Sequence, residues 1–233
     1  NFLGIMQNEW AGAQAFSSFD TYLAPFVKAD HLTYPEVKKC IEAFIYGVNT
    51  PSRWGTQAPF SNITLDWTVP DDLAELPAIV GGKEMDFKYK DCKKEMDMVN
   101  KAFIETMIEG DANGRGFQYP IPTYSITKEF DWSDTENNRL LFEMTSKYGT
   151  PYFSNYINSD MQPSDVRSMC CRLRLDLREL RKKTGGYFGS GESTGSVGVV
   201  TINMPRIAYL AQDEEEFYER LDRPMDISAR SLH

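Results

Sequence analysis

Two adjacent thiols, Cys170 and Cys171, and a carboxamide further along, Asn203, are the side chains whose type and placing best suit chemistry in this sequence. Arg172 and Arg174 follow the thiols, and positive neighbours lower a thiol pKa and open it to reaction where the segment is accessible. Gly185, Gly186, Gly189, Gly191 and Gly195 come next and permit tight, positive-φ backbone. Residues 196–202, SVGVVTI, are β-branched and uncharged, which predicts a buried strand. The strand ends at Asn203, and Pro205 is placed to open a helix. The pattern is a reactive thiol on a loop, facing a polar side chain at the end of a core strand.

Several chemistries compete for that segment. Residues 186–194 suggest a phosphate loop only superficially, because Glu192 stands where such a loop needs its lysine and would repel phosphate. The dinucleotide fingerprint fails as well, since Thr194 holds the place of the third glycine. A cysteine hydrolase needs a base beside the thiol, normally histidine. The two histidines are His31, distant in sequence, and His233. Radical chemistry needs no imidazole. A thiol can lose a hydrogen atom, and the thiyl can take one from a carbon of a bound molecule where the bond energies are comparable. That requires a rigidly held thiol, a water-poor cavity and a nearby radical store. For an isolated Cys-Cys pair the reading would be two passive, buried residues.

Composition bounds the class. A chain of 233 residues with 41% hydrophobic residues can build a sizeable core, and one α/β unit is simpler than two small domains. The net charge of −9 and pI of about 4.9 argue against tight binding to a nucleic-acid backbone. The basic run 172–183 alternates with leucines and fits a solvated helix face. Four cysteines without regular spacing do not make a secreted disulfide framework, and the lack of CxxC with so few histidines disfavours zinc. No stretch of about 18 apolar residues could span a membrane, and the amino terminus lacks a signal-peptide layout. A reduced, cytoplasmic chain that starts as if in mid-domain is expected.

The elements that must position the thiols follow from periodicity. Residues 5–29 carry Trp10, Ala13, Phe16, Phe19, Tyr22 and Leu23 at near-helical spacing. A second helix starts at Thr33 as N-cap with Pro35 and Glu36 in its first turn; Val37, Cys40, Ile41, Phe44, Ile45 and Val48 form its buried stripe. That stripe makes Cys40 a core thiol. Residues 49–55 are turn chemistry, and 58–66 a short strand. Such a loop, with hydroxyls, Arg53 and backbone N–H groups, can hold a triphosphate or ribose; as an ordinary turn it needs no ligand. Residues 68–82 form an excursion, and 83–110 a long helix with Cys92, Met96, Val99, Phe103 and Met107 on one face. A strand over 117–127 runs through Pro120 and Pro122, which suggests an edge or an irregular start. A helix over 136–148, buried through Leu140, Leu141 and Met144, leads to a strand at 151–157. Beyond Asn203, residues 205–211 form a helix and 213–216 open an acidic amphipathic one.

The segment Met169-Cys170-Cys171-Arg172, followed by GVVTINMPRI at 198–207, resembles the central catalytic segment of anaerobic ribonucleoside-triphosphate reductases, the glycyl-radical class of ribonucleotide reductase. QNEWAGAQAF at 7–16, NTPSR at 49–53 and YPIPT at 119–123 extend the resemblance through nearly the whole chain. It implies an α/β fold that is part of the ten-stranded α/β barrel of these enzymes, with residues 1–233 forming a partial catalytic barrel domain. It further implies reduction of ribonucleoside triphosphates, with the thiyl at Cys171 taking hydrogen from the ribose 3′ carbon. Cys170 is the alternative, since the pair leaves a one-residue ambiguity.

Asn203 matches a family asparagine on the substrate and reductant side, where formate serves in many members and a thiol-based reductant in others. Ser61, Asn62, Asn49 and Arg53 are the substrate-binding candidates. Also implied are a glycyl radical on a residue outside this chain, ATP and dNTP effectors, and zinc in a carboxyl-terminal region. The partners would be a radical S-adenosylmethionine iron–sulfur activating enzyme and a second copy of the chain. The resemblance would set residues 5–29 at that contact, next to an effector-nucleotide site, whereas their small residues by themselves favour internal helix packing. The family's glycyl-radical motif, four-cysteine zinc site, ATP cone and upstream barrel cysteine have no counterpart in the sequence. The polypeptide alone is therefore expected to be inactive; the alternative is a nucleotide-binding or subunit-interface fragment without chemistry of its own.

Overall fold

The computed structural model describes residues 2–6, 14–51, 58–158 and 200–232, together with the backbone of 166–168 and 174–176. The chain divides into two compact units, residues 1–189 and 190–233.

In the first unit, α1 (Phe2–Met6) precedes β1 (Gln14–Phe16), α2 (Phe19–Ala29), α3 (Tyr34–Val48) and β2 (Ser61–Leu65). A short α4 (Asp71–Ala74) leads into the strands β3 (Pro77–Val80) and β4 (Lys83–Lys88), then a 3-10 turn (Tyr89–Cys92) and α5 (Lys93–Glu109). Then come β5 (Ile121–Ile126), α6 (Glu136–Tyr148) and β6 (Tyr152–Asn155). Strands β1, β2, β5 and β6 pair in that order, all parallel. Because strand side chains alternate between faces, this register sorts the sheet. One face presents Ile63, Leu65, Tyr124 and Ile126, which join Ile41, Ile45, Val99, Phe103, Leu141 and Met144 in the main core. Helix α5 lies at the centre of that layer and packs against α2, α3 and α6. The other face carries Asn62, Thr64, Thr123, Ser125 and Ser154, with registers Thr64–Thr123 and Ser125–Ser154.

Local chemistry fixes the helix starts. The Glu36 carboxylate accepts the Thr33 backbone N–H at 2.8 Å and its hydroxyl at 2.6 Å, and Pro35 occupies the first turn of α3. Thr135 caps α6 by accepting the Asn138 N–H at 3.1 Å. Both starts agree with the sequence reading, as does the extent of α6.

Elsewhere tertiary pairing overrides the local pattern. The expected helix over 5–29 is divided: Gln14–Phe16 is a strand whose first N–H donates to the Phe60 carbonyl at 3.0 Å, and α2 begins only after Ser18 at φ 54°. A neighbouring strand supplies partners that the alanine-rich run would otherwise find within a helix. The expected helix over 83–110 starts late, because Lys83–Lys88 is β4. Gly81 and Gly82, at φ 59° and 78°, form the tight connection to β3, where two successive positive φ values suit a hairpin. Strand β5 is interior rather than an edge. Pro122 withholds one ladder donor while the rest of the strand keeps its pairing. Cys40 is exposed, one position off the stripe Val37, Ile41, Ile45 and Val48 that α3 buries; Cys92 is the buried thiol.

A separate two-stranded antiparallel ladder pairs β7 (Val166–Ser168) with β8 (Arg174–Asp176). Part of the basic run is thus a strand rather than a helix. Its residues RLRLDL alternate with period two, which is strand spacing.

In the second unit, α7 (Met204–Leu210) and α8 (Glu214–Leu232) pack on each other. Residues 200–202 carry no strand, and Val200 is exposed. The expected buried strand therefore does not reach Asn203, since a strand exists only through its pairing and no described residue pairs with it. Residues 196–199 lie outside the described residues.

Candidate functional site at the polar face of the parallel sheet

Cys170, Cys171 and Arg53 lie outside the described residues. What is described around the thiols is the β7–β8 ladder, which sets Ser168 against Arg174, the two residues that flank segment 169–173.

Asn203 is the N-cap of α7. Its Oδ1 accepts the Arg206 N–H at 3.0 Å, and Pro205 stands in the first turn. Its sequence signal, Asn-Met-Pro-Arg, is thus a helix-start signature as well as a motif.

Ser61 and Asn62 are consecutive on β2, so their side chains take opposite faces of the sheet. Asn62 stands with Thr64, Thr123 and Ser125 on the hydroxyl-rich face. It is 5% exposed, and its Nδ2 is buried without a hydrogen-bond partner. Ser61 is fully buried on the helix-packed side, next to Gln14 in the register, and its Oγ is also unpartnered. Buried polar atoms are paired in most folded proteins, so each such atom calls for a partner.

Asn49 ends α3 and uses its amide fully on backbone. Oδ1 accepts the N–H groups of Gln118 and Tyr119 at 3.1 and 3.0 Å. Nδ2 donates to the Ile45 and Tyr119 carbonyls at 2.8 and 2.6 Å. The side chain fastens the start of β5, with its cis Tyr119–Pro120 peptide, to the end of α3. Of the three described substrate-contact candidates, Ser61, Asn62 and Asn49, Asn62 alone joins the polar face.

The sequence reading passed over a buried network at the carboxyl ends of β1 and β2. Asp20, at the start of α2, is fully buried and accepts the N–H groups of Asp66 and Trp67 at 2.8 and 3.0 Å. Asn100 of α5 donates to the same carboxylate at 2.9 Å, and the Tyr124 hydroxyl donates to Asn100 Oδ1 at 2.9 Å. The Thr21 hydroxyl donates to Asp66 Oδ2 at 2.6 Å. Burial pushes both carboxyl groups up, and for Asp66 the nearby Asp20 charge adds to it, bringing it to about 7. The available signal was the pair of acidic residues placed where β1 and β2 end, since α/β folds gather their sites at strand carboxyl ends.

An open apolar hollow of about 790 Å³ lies between α1 and α3, with Leu3, Phe16, Phe44, Val48 and Pro59 among its walls. Its described lining has no ionisable side chain, so it offers packing rather than chemistry. Among the described residues no cluster of His, Cys, Asp and Glu could hold a metal ion, and no helix is long and apolar enough to cross a membrane.

A parallel sheet with one face buried under helices and the other lined by hydroxyls and an unpaired amide is an α/β arrangement. Comparison with known proteins makes the class specific. The family model for anaerobic ribonucleoside-triphosphate reductase matches residues 1–233, and the chain belongs to that family. The anaerobic ribonucleoside-triphosphate reductase of Haemophilus influenzae is 27% identical over 141 residues, covering 58% of this chain and 19% of the relative. The anaerobic ribonucleotide reductase of Thermotoga maritima, solved with citrate in its active site, superposes with a TM-score of 0.50 at 18% identity, over 72% of this chain and 31% of that one. The same enzyme with MES in the active site gives a TM-score of 0.50 at 18% identity, over 99% of this chain and 40% of that one. The α/β barrel fold expected from the sequence is the fold of these neighbours. The chain spans 19% of the curated relative's length and 31% to 40% of the solved structures'.

Proposed function

We propose that this chain is the central segment of an enzyme that reduces ribonucleoside triphosphates to deoxyribonucleoside triphosphates. Cys171 is the thiol that gives up its hydrogen atom and, as a thiyl, takes one from the ribose 3′ carbon; Cys170 is the alternative. The observation that carries the reading is Asn62, a buried amide with an unpartnered Nδ2 on the hydroxyl-rich face of the sheet, in a chain of the reductase family. Its donor suits an oxygen of the sugar or phosphate, and Thr64, Thr123 and Ser125 add hydroxyls on the same face.

Asn203 stands on the substrate and reductant side. Its Oδ1 is committed to the α7 cap, which leaves Nδ2 as the donor toward formate or a ribose hydroxyl. Arg53 serves a phosphate. Ser61 and Asn49 act one step removed, through the packing of β2 and the start of β5. A glycyl radical held elsewhere in the whole enzyme supplies the oxidising equivalent when present, and a radical S-adenosylmethionine activating enzyme installs it. ATP and dNTPs are the effectors, the enzyme works as a homodimer, and zinc belongs to another region.

The 233 residues alone do not turn over. In the activated whole enzyme, Cys171→Ala should abolish product formation while nucleotide affinity is kept. Product formation by that variant would refute the assignment of the thiyl.

A further inference from the structure

The turn that closes β2 combines features that a simple crossing loop does not need. The Thr68 N–H donates to the Asp66 carbonyl at 2.7 Å across Trp67, whose φ is 64°. That is a γ-turn of the rarer, strained hand, built on a bulky residue. Directly beside it Ser18, at φ 54°, closes β1 and donates its N–H to Thr64 Oγ1 at 2.8 Å. Two non-glycine residues in the left-handed region therefore meet at adjacent strand ends, and both turns are tied to one pair of buried carboxyl groups.

We infer that Asp20 and Asp66 form a one-proton latch on this turn, with the charge on Asp20 and the proton on Asp66. The partners decide which is which. Among the described residues every group on Asp20 is an N–H donor: the backbone of Thr21, Asp66 and Trp67, and Asn100 Nδ2. N–H groups cannot turn round to accept, so they demand an anion. The described side-chain hydrogen-bond partner of Asp66 is the Thr21 hydroxyl, and the Ser18 hydroxyl also acts on it; hydroxyls accept as readily as they donate and so tolerate a protonated carboxyl. Two neighbouring buried carboxyls do not both ionise readily.

Among the described residues the other groups acting on the pair are Asp72 of α4, whose charge opposes ionisation of Asp66, and the Tyr124 phenol of β5, which reaches Asp20 through Asn100. Among the described residues no lysine or arginine acts on either carboxyl. When the proton leaves Asp66 to solvent, a second anion appears beside Asp20 with no cation among the described residues to offset it. The strained Trp67 turn is then what gives way. Since β2 carries Asn62 and Thr64 on the polar face, the latch is a positioning device for that face. The inference stands on the buried network and does not depend on the proposed reaction.

The test is an infrared and denaturation titration of the whole protein from about pH 5 to about pH 9, on wild type and Asp66→Asn. The wild type should show the carbonyl stretch of a protonated, buried carboxyl at the acid end and lose it as pH rises through neutrality. Its unfolding constant should grow about tenfold per pH unit up to that point, by one-proton linkage. Asp66→Asn should lack both the band and the one-proton slope. Absence of the band in the wild type at the acid end would overturn the latch, as would its survival in folded Asp66→Asn. If the variant fails to fold, the wild-type band and slope decide alone.

Discussion

The Asp20 carboxylate reaches across from the start of α2 to hold the backbone N–H of Asp66, 2.8 Å away at the end of β2. Through this contact, the second Oδ to Trp67 and the bond from Asn100, one side chain joins a helix, a strand end and the central helix α5. Asp20→Ala would strand several buried donors at once. A loss of about 3 kcal/mol or more is expected in urea denaturation, since each unsatisfied buried group costs about 1–3 kcal/mol.

The pH dependence has a definite sign. Asp66 is raised from 3.8 to about 7, so between those values the folded state keeps a proton that the unfolded state has released. Stability therefore falls as pH rises from about 4 to about 7 and levels off above, by up to about 4 kcal/mol for this group. Denaturation midpoints measured across that range check it. A rise in stability with pH over the same window would contradict the assignment.

Removing the orphan amide separates binding from folding. Asn62→Leu eliminates a buried donor that has no partner, so stability should hold or rise by about 1 kcal/mol. Nucleotide affinity of the whole enzyme should fall by about tenfold or more, one good hydrogen bond's worth. Calorimetry with a ribonucleoside triphosphate, alongside a denaturation curve, reads both.

Asn49 should show the opposite balance. Asn49→Ala leaves the N–H groups of Gln118 and Tyr119 without their acceptor and frees the start of β5. A stability loss of about 1–3 kcal/mol is expected, visible as a lower denaturation midpoint with an unchanged slope.

Two thiols should differ sharply in reactivity. Cys40 is exposed, whereas Cys92 is buried and pushed up to about 11, chiefly by desolvation. Alkylation of native protein followed by peptide mapping should modify Cys40 first, with Cys92 reacting only after unfolding.

What could be read in advance was local. Thr33, Pro35 and Glu36 announce α3, and the leucine and methionine stripe announces α6, because caps and stripes act within a few residues. The strands β1 and β4 were hidden because each depends on a neighbour: Gln14–Phe16 on β2, and Lys83–Lys88 on β3 across Gly81 and Gly82. The site was half legible. Asn62 was named, but its separation from Ser61 by the pleat emerges only once the register fixes which face is polar. Asp20 and Asp66 were missed because 45 positions of sequence separate Thr21 from Asp66, and only folding brings them together. The thiol motif was legible only through its resemblance to the reductases, since the pair alone carries no base.

The most direct measurement of the proposed chemistry uses a ribonucleoside triphosphate deuterated at the 3′ carbon, turned over anaerobically by the activated whole enzyme. A primary isotope effect on deoxyribonucleotide formation is expected in the wild type, and no product from Cys171→Ala. Turnover insensitive to 3′ deuteration, and retained when Cys171 is replaced, would contradict it.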